Sequence, residues 1–136
     1  MTPVILCVDD EKLVLESLTS QLRSHYGDDY EYETAQNPKE AHELIDELME
    51  EGITIYVIIS DWLMPITKGD QFLIDVCDKL PDTKLIMLSG HADEDSVDRA
   101  RKYANLHQFI RKPWEKDHLM QSIDAAVEEV KLKRMS

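Results

Sequence analysis

The chain has 136 residues, 43% of them hydrophobic, which favours one folded domain over a disordered chain. Its formal net charge is −13, so direct nucleic-acid binding is not expected. No run of about 18 apolar residues and no signal-peptide pattern is found, so we expect no membrane span and a cytoplasmic location. Cys7 and Cys77 lie in separate apolar runs and are predicted to be buried free thiols.

The first half of the chain alternates short β-rich runs with segments of helical period. The apolar run Val4–Val8 is typical of a central strand that is covered on both faces. The other predicted elements are a helix over about residues 12–25, a turn at 27–29, an edge strand over Tyr30–Ala35, a helix that begins at Asn37-Pro38 and ends at Gly52, and a strand over Ile53–Ser60.

The second half continues the alternation. It predicts a helix marked by Phe72, Leu73, Val76 and Leu80 and closed by Pro81, a strand over Lys84–Leu88, a polar helix over Asp93–Asn105, a strand over His107–Arg111, and a last helix marked by Leu119, Ile123, Ala126 and Val130. Residues 131–136 are predicted to be a fraying C-terminal tail or the start of a linker, which leaves residues 1–130 as the domain.

Five strand–helix pairs in order predict an α/β fold with a parallel sheet and helices on both faces. Ligands of such a sheet bind outside the carboxyl ends of its strands. Polar residues end four of the predicted strands at that edge: Asp9 and Asp10, Asp61, Ser89, and Lys112. Three carboxylates so close repel one another, and Mg²⁺ relieves that repulsion. A lysine amine and a serine hydroxyl are suited to phosphoryl oxygens.

Four motifs carry a resemblance to a known family. They are Val8-Asp9-Asp10-Glu11, Asp61-Trp62-Leu63-Met64-Pro65 with Gly69, Leu88-Ser89-Gly90, and Arg111-Lys112-Pro113-Trp114. With these motifs the chain, from Pro3 to about Val130, resembles the receiver domains of bacterial two-component response regulators. The resemblance implies a five-stranded parallel sheet in the flavodoxin-like order 2-1-3-4-5.

The resemblance also implies a phosphoacceptor and a metal site. Asp61 would be the nucleophile that accepts a phosphoryl group from a sensor histidine kinase or a phosphotransfer protein. Asp10 and Asp61 would bind Mg²⁺ directly, Asp9 through water, and Leu63 through its main-chain carbonyl. The chain would then be a phosphorelay switch with slow self-dephosphorylation and not a turnover enzyme.

Further roles follow from the same resemblance. Lys112, aimed by a cis bond before Pro113, would pair with the incoming phosphoryl group, and Ser89 would hydrogen-bond it after transfer. The aromatic ring of Phe109 would then rotate inward and change the surface of helix 4, strand 5 and helix 5. A downstream effector domain or protein would read that surface, with the chain a monomer or a weak phosphorylation-dependent dimer.

Position 109 departs from the common pattern of the family. Phe109 replaces a frequent tyrosine, so the inward state loses a hydrogen bond and keeps its steric effect. Leu63 and His91 flank the phosphorylation site, and a leucine cannot orient an attacking water. We therefore expect a long-lived phosphoryl group.

Other interpretations stay open at this point. Asp9 and Asp10 could simply cap the first helix. An aspartyl-phosphate phosphatase would need a second acid two residues after the nucleophile, and this chain has Leu63 there. A nucleotide-binding fold would need a phosphate-binding glycine motif, and none is found. The strongest alternative is a receiver-like protein-interaction module that is never phosphorylated. His25, His42, His107 and His118 lack metal-ligand spacing and are predicted to lie at the surface.

Overall fold

The computed structural model describes residues 2–61, 69–90, 94–104 and 106–135. Within these ranges strands and helices alternate along the chain, as predicted. The strands are β1 (Val4–Val8), β2 (Glu31–Ala35), β3 (Ile55–Ser60), β4 (Lys84–Ser89) and β5 (Leu106–Arg111). The helices are α1 (Lys12–Tyr26), α2 (Pro38–Glu50), α3 (Gly69–Lys79), α4 (Glu94–Tyr103) and α5 (Lys116–Arg134), with a 3₁₀ turn at Gly27–Asp29.

The five strands form one parallel sheet in the order β2-β1-β3-β4-β5. The predicted fold class and strand order are therefore confirmed. All five residues of β1 are buried, which fits an apolar strand with a helical layer on each side. The predicted edge strand, β2, lies at one margin of the sheet and is only partly covered.

The sheet separates two apolar cores. One core packs α2, α3 and α4 against the sheet face that carries Leu6 and Ile58. The other packs α1 and α5 against the opposite face, which carries Ile5 and Ile59. Because side chains alternate along a strand, one apolar run fills both cores. Both cysteines are free thiols, as predicted; Cys7 is buried as expected, whereas Cys77 is only half-buried.

The strand β3 departs from simple alternation at its start. In its register with β1, Val4 pairs with Ile55 and the next residue, Ile5, pairs with Val57. Tyr56 is therefore the extra residue of a β-bulge. As a result Tyr56 and Val57 both belong to the α1/α5 side of the sheet, whereas Ile55 and Ile58 belong to the other side.

Several element ends differ from the prediction. The strand β3 begins at Ile55 and not at Ile53, since Ile53 closes the α2 turn by donating its amide to the Leu48 carbonyl at 2.9 Å. The helix α5 continues to Arg134, so residues 131–134 are helical and not frayed. Lys133 in that last turn lies 2.9 Å from the Asp82 carboxylate. The domain limit at residue 130 stays a prediction.

The described helices include none that is both long enough and apolar enough to cross a lipid bilayer.

Candidate functional site

The carboxyl ends of four strands bring the predicted polar residues to one edge of the sheet. Asp9 and Asp10 follow β1, Asp61 follows β3, Ser89 ends β4, and Lys112 follows β5. Backbone hydrogen bonds extend the ladder into this edge. The Asp61 amide donates to the Val8 carbonyl at 2.9 Å, and the Lys112 amide donates to the Ser89 carbonyl at 3.2 Å.

Three carboxylates converge at this edge. Asp9, Asp10 and Asp61 each offer one oxygen, and these oxygens all lie within 4.8 Å of one another. Asp9 is 1% exposed and Asp61 is 6% exposed, whereas Asp10 lies open to solvent. A hard divalent cation with oxygen ligands fits this donor set, and the open side leaves room for water and a phosphoryl oxygen. The three carboxylates are thus a donor set that could hold Mg²⁺.

The Lys112 amine lies between two of these acids. Its Nζ donates to Asp9 Oδ2 at 2.7 Å and lies 3.6 Å from Asp61 Oδ1. The peptide bond between Lys112 and Pro113 is cis, as the resemblance implied. The side chain of Lys112 is 18% exposed, so its charge faces the acids across a partly dehydrated gap.

Asp9 divides its two oxygens between the local turn and the site. Oδ1 accepts a hydrogen bond from the Glu11 amide at 2.8 Å, and Oδ2 accepts from Lys112. Glu11 occupies the N-cap position of α1 and makes no side-chain capping bond. Asp9 therefore shapes the turn before the helix and also pairs with the amine, while its role as a metal ligand stays a prediction.

The protonation of the pair follows from burial and contact. Burial raises the pKa of Asp9, and the hydrogen bond from Lys112 works against that rise without cancelling it. Burial alone would lower the pKa of Lys112, but the hydrogen bond to Asp9 and the charge of Asp61 raise it overall. The amine is therefore held in its charged form against the carboxylates.

A cavity of about 470 Å³ opens above these groups. Its lining comprises Asp10, Glu11, Val14, Asp61, Ser89, Gly90, Lys112, Pro113 and Trp114. Trp114 forms one wall and donates its Nε1–H to Gln21 Oε1 at 2.8 Å, which ties the loop after β5 to α1. Gln21 was not foreseen from the sequence, because a polar residue in mid-helix carries no pattern that points to a partner far along the chain.

The remaining predicted residues have different outcomes. Ser89 is 1% exposed at the end of β4. Phe109 is half-buried against the α2/α3/α4 core, with the Arg111 guanidinium 5.8 Å from its ring centre. Leu63 and His91 lie outside the described residues. Among the histidines, His118 is exposed as predicted. The side chain of His107 is only 16% exposed, and its Nδ1 lies 3.5 Å from the Glu129 carboxylate of α5.

Comparison with known proteins gives a consistent result. The family profile "Response regulator receiver domain" matches residues 5–124. The hydrogenase transcriptional regulatory protein HoxA of Bradyrhizobium diazoefficiens is 31% identical over 130 residues, which are 96% of this chain and 25% of that protein. The chain thus spans about a quarter of the length of this curated relative.

Two solved structures are also similar. The beryllofluoride-activated NtrC4 receiver domain dimer has 30% identity and a TM-score of 0.80, covering 93% of this chain and 98% of that one. A CheY-like response regulator receiver domain protein from Methanospirillum hungatei has 25% identity and a TM-score of 0.84, covering 98% of this chain and 99% of that one.

Proposed function

The chain belongs to the response regulator receiver family, and on that premise we propose that it accepts a phosphoryl group on Asp61 in a phosphorelay. The observation that carries the proposal is the position of the Lys112 amine, 2.7 Å from Asp9 and 3.6 Å from Asp61, beside the third carboxylate of Asp10. A buried carboxylate with a charged amine at this distance is oriented to receive an anionic group once a cation balances the remaining negative charge.

The chemical step is an in-line transfer. An Asp61 carboxylate oxygen attacks the phosphorus of a phosphohistidine on a sensor kinase or phosphotransfer protein. The phosphorus–nitrogen bond breaks, the histidine nitrogen keeps the bonding electron pair, and an acyl phosphate forms on Asp61. Lys112 donates a charge-assisted hydrogen bond to the transferred group, and the Ser89 hydroxyl donates another once transfer is complete.

Asp9, Asp10 and Asp61 are the residues that we propose to hold Mg²⁺, with the main-chain carbonyl of Leu63 as a further ligand. The bound ion would neutralise part of the negative charge on the phosphoryl oxygens. The protein itself holds the acids in place. The Glu11 amide and the Lys112 amine each donate a hydrogen bond to Asp9.

We propose that phosphorylation is read through α4, β5 and α5. The new group adds about −1.5 to −2 charges next to Ser89. Ser89 and the Phe109 ring stand on the neighbouring strands β4 and β5, and the ring lies near Val97 of α4 at one side of a surface cavity. A shift of Ser89 toward the phosphoryl oxygens would make room for that ring to turn inward. The absence of a polar side chain at Leu63 favours a long-lived phosphoryl state.

The partners and the output are also proposals. A histidine kinase or phosphotransfer protein supplies the phosphoryl group, and an effector domain or a separate protein reads the result in the cytoplasm. Since the chain spans about a quarter of the hydrogenase regulator that it resembles, an effector in the same polypeptide is consistent with the relationship. The net charge of −13 argues against direct contact of this domain with nucleic acid. A monomer or a weak phosphorylation-dependent dimer is expected.

Intact-mass spectrometry after incubation with acetyl phosphate and Mg²⁺ tests the central claim. We expect the wild-type chain to gain the mass of one phosphoryl group and Asp61→Ala to gain none. Asp98→Asn, which changes an exposed acid of α4, is the matched control and should be labelled like the wild type. Labelling that persists in Asp61→Ala would move the acceptor elsewhere. No labelling of the folded wild type would favour the interaction-module alternative.

A further inference from the structure

A second cavity, of about 380 Å³, lies at the opposite edge of the sheet from Asp61. It opens where β1 and β3 begin, between the C-terminal end of α1 and the outer half of α5. Its lining comprises Pro3, Tyr26, Asp29, Tyr30, Tyr56, Asp124, Val127, Glu128 and Lys131. The phosphorelay function proposed above assigns no role to these residues.

Three tyrosine rings form much of its wall. The centres of the Tyr26 and Tyr30 rings are 5.1 Å apart at an interplanar angle of 74°, and those of Tyr30 and Tyr56 are 5.8 Å apart at 66°. Tyr30 is only 6% exposed, and the other two rings are half-buried. The rings pack edge to face on one another, and all three line the cavity, so aromatic carbon forms part of its wall.

The β-bulge in β3 puts the third ring there. Without the extra residue, regular alternation would place Tyr56 and Val57 on opposite faces of the sheet. The bulge leaves both on the α1/α5 side, so the Tyr56 ring reaches the cavity. The Arg134 guanidinium lies 6.0 Å from the centre of this ring, so a cation of the chain itself already contacts the aromatic surface of Tyr56.

Carboxylates stand around the same opening. Asp124 accepts a hydrogen bond from the Tyr26 hydroxyl and lies 3.3 Å from His25 Nε2, which fixes it beside the ring. Asp29 and Glu128 are exposed and add negative charge at the rim. The cavity also adjoins Tyr26, the last residue of α1, where the helix dipole favours positive charge.

We propose that this cavity binds a small organic cation of low charge density, such as a quaternary ammonium group. Aromatic faces and nearby carboxylates together suit such a cation, which is large and weakly hydrated. A bare metal ion would need several oxygens in one coordination sphere, and among the described residues no three acidic, histidine or cysteine side chains converge at this cavity. Lys131 at the rim competes for the same acids, and Arg134 competes for the Tyr56 ring, so we expect binding in roughly the millimolar range.

Choline and its neutral isostere, in which a tert-butyl group replaces the trimethylammonium group, are the probes. Amide NMR spectra of the intact chain are recorded during titration with each compound at constant ionic strength. We expect choline to shift the amides around Tyr26, Tyr30, Tyr56 and Asp124 with a saturable curve, and the isostere to shift them much less. Equal responses to the two compounds would overturn the proposal, because they differ in charge and hardly in shape.

Variants separate the ring from its hydroxyl. Tyr56→Phe keeps the aromatic face and should bind choline as the wild type does, while Tyr56→Leu should bind about fivefold more weakly. Glu128→Gln, an exposed change that leaves the core intact, should also weaken binding. Tyr103→Leu removes a ring that is 56% exposed on α4 and should change nothing. Shifts that centre on Asp9, Asp10 and Asp61 in place of the tyrosines would also overturn the proposal.

Discussion

Lys112 contributes the positive charge that two buried carboxylates face. Its amine is 2.7 Å from Asp9 and 3.6 Å from Asp61, and its side chain is 18% exposed. We expect Lys112→Met to lower the free energy of unfolding by about 1 to 3 kcal/mol, because the acids would then repel each other without a nearby cation. Urea unfolding followed by circular dichroism measures this change.

Lys116→Met is the matched control for that measurement. Lys116 carries the same charge at the exposed start of α5, so its loss should change the stability by less than about 0.5 kcal/mol. Equal effects of the two substitutions would mean that the position of Lys112 between the acids adds nothing to the stability of the fold.

Tyr30 gives the fold a dependence on alkaline pH. Burial, followed by the charges of neighbouring groups, raises the pKa of its hydroxyl from 10.0 to about 12. The folded state therefore holds this proton more tightly than the unfolded state. The resulting stability is fully present below pH 10 and is lost as the pH rises toward 12.

We expect Tyr30→Phe to reduce the loss of stability between pH 10 and 12 by roughly 2 to 3 kcal/mol, since phenylalanine has no proton to lose. Chemical unfolding of both proteins across this range, followed by fluorescence, measures the difference. Parallel stability curves for the two proteins would show that Tyr30 ionises alike in the folded and unfolded chains.

Individual site residues were predictable where a strand end dictates the position. Each of the predicted polar residues follows or ends a strand that can be predicted from its β-rich sequence. These residues are Asp9, Asp10, Asp61, Ser89 and Lys112. The tyrosines of the second cavity were not predictable. Tyr26 ends α1, Tyr30 precedes β2 and Tyr56 is the bulge residue of β3, and the three rings meet only after the sheet has formed. The bond from Trp114 to Gln21 is of the same kind, joining positions that no local pattern connects.

The start of α2 shows how much a helix terminus depends on one side chain. Asn37 Oδ1 accepts from the Glu40 amide at 2.8 Å, and Glu40 Oε2 accepts in turn from the Gln36 amide at 2.9 Å. This reciprocal pair satisfies two amides that have no partner within the helix. Pro38 follows at the first helical position, where its missing N–H costs nothing.

We therefore expect Asn37→Ala to destabilise the chain by about 1 kcal/mol, because the Glu40 amide loses its acceptor. Asn37→Asp keeps an oxygen in place and should retain most of the stability. Thermal unfolding of the two variants beside the wild type compares them directly, and a fully stable alanine variant would contradict the role assigned to this cap.

Elements were predicted more securely than their ends. The start of α2 could be predicted because asparagine is common at the N-cap of a helix and proline at its first position. The bulge at Tyr56 could not be predicted, because it depends on the register between β3 and β1 and not on the residues of β3 alone. The extension of α5 to Arg134 was missed because its last turn has few apolar positions, and contacts such as Lys133 with Asp82 act across the molecule.

At the scale of the whole molecule, the net charge of −13 makes the chain responsive to cations. We expect Mg²⁺ to raise the temperature midpoint of unfolding above that in KCl at equal ionic strength. At a concentration of about ten times its Kd, Mg²⁺ should raise the free energy of unfolding by about 1.4 kcal/mol, because it binds the folded state. Differential scanning calorimetry measures the shift.

Asp10→Asn should remove most of the Mg²⁺ response, because it deletes one of three converging carboxylates. Glu50 is an exposed acid at the end of α2, and Glu50→Gln removes one negative charge, as Asp10→Asn does. This control variant should keep the response to Mg²⁺. If both variants respond alike, the ion acts through general screening of the negative surface and not through a site.

The strand order could be anticipated from the resemblance and from the regular alternation of elements. Because crossovers between parallel strands are right-handed as a rule, few arrangements of five parallel strands with helices on both faces are available. What alternation alone does not decide is which helix lies on which side. The structure puts α1 and α5 together on one face and α2, α3 and α4 on the other.

That division has a consequence for how substitutions combine. Leu22 and Val76 are both fully buried but belong to different cores on opposite faces of the sheet. The losses from Leu22→Ala and Val76→Ala should add to within about 0.5 kcal/mol in the double variant, which a double-mutant cycle measures. A strong coupling energy would mean that strain crosses the sheet. If the losses add, the residues of each core can change during evolution without compensating changes in the other core. A designer could likewise repack one core and leave the other unaltered.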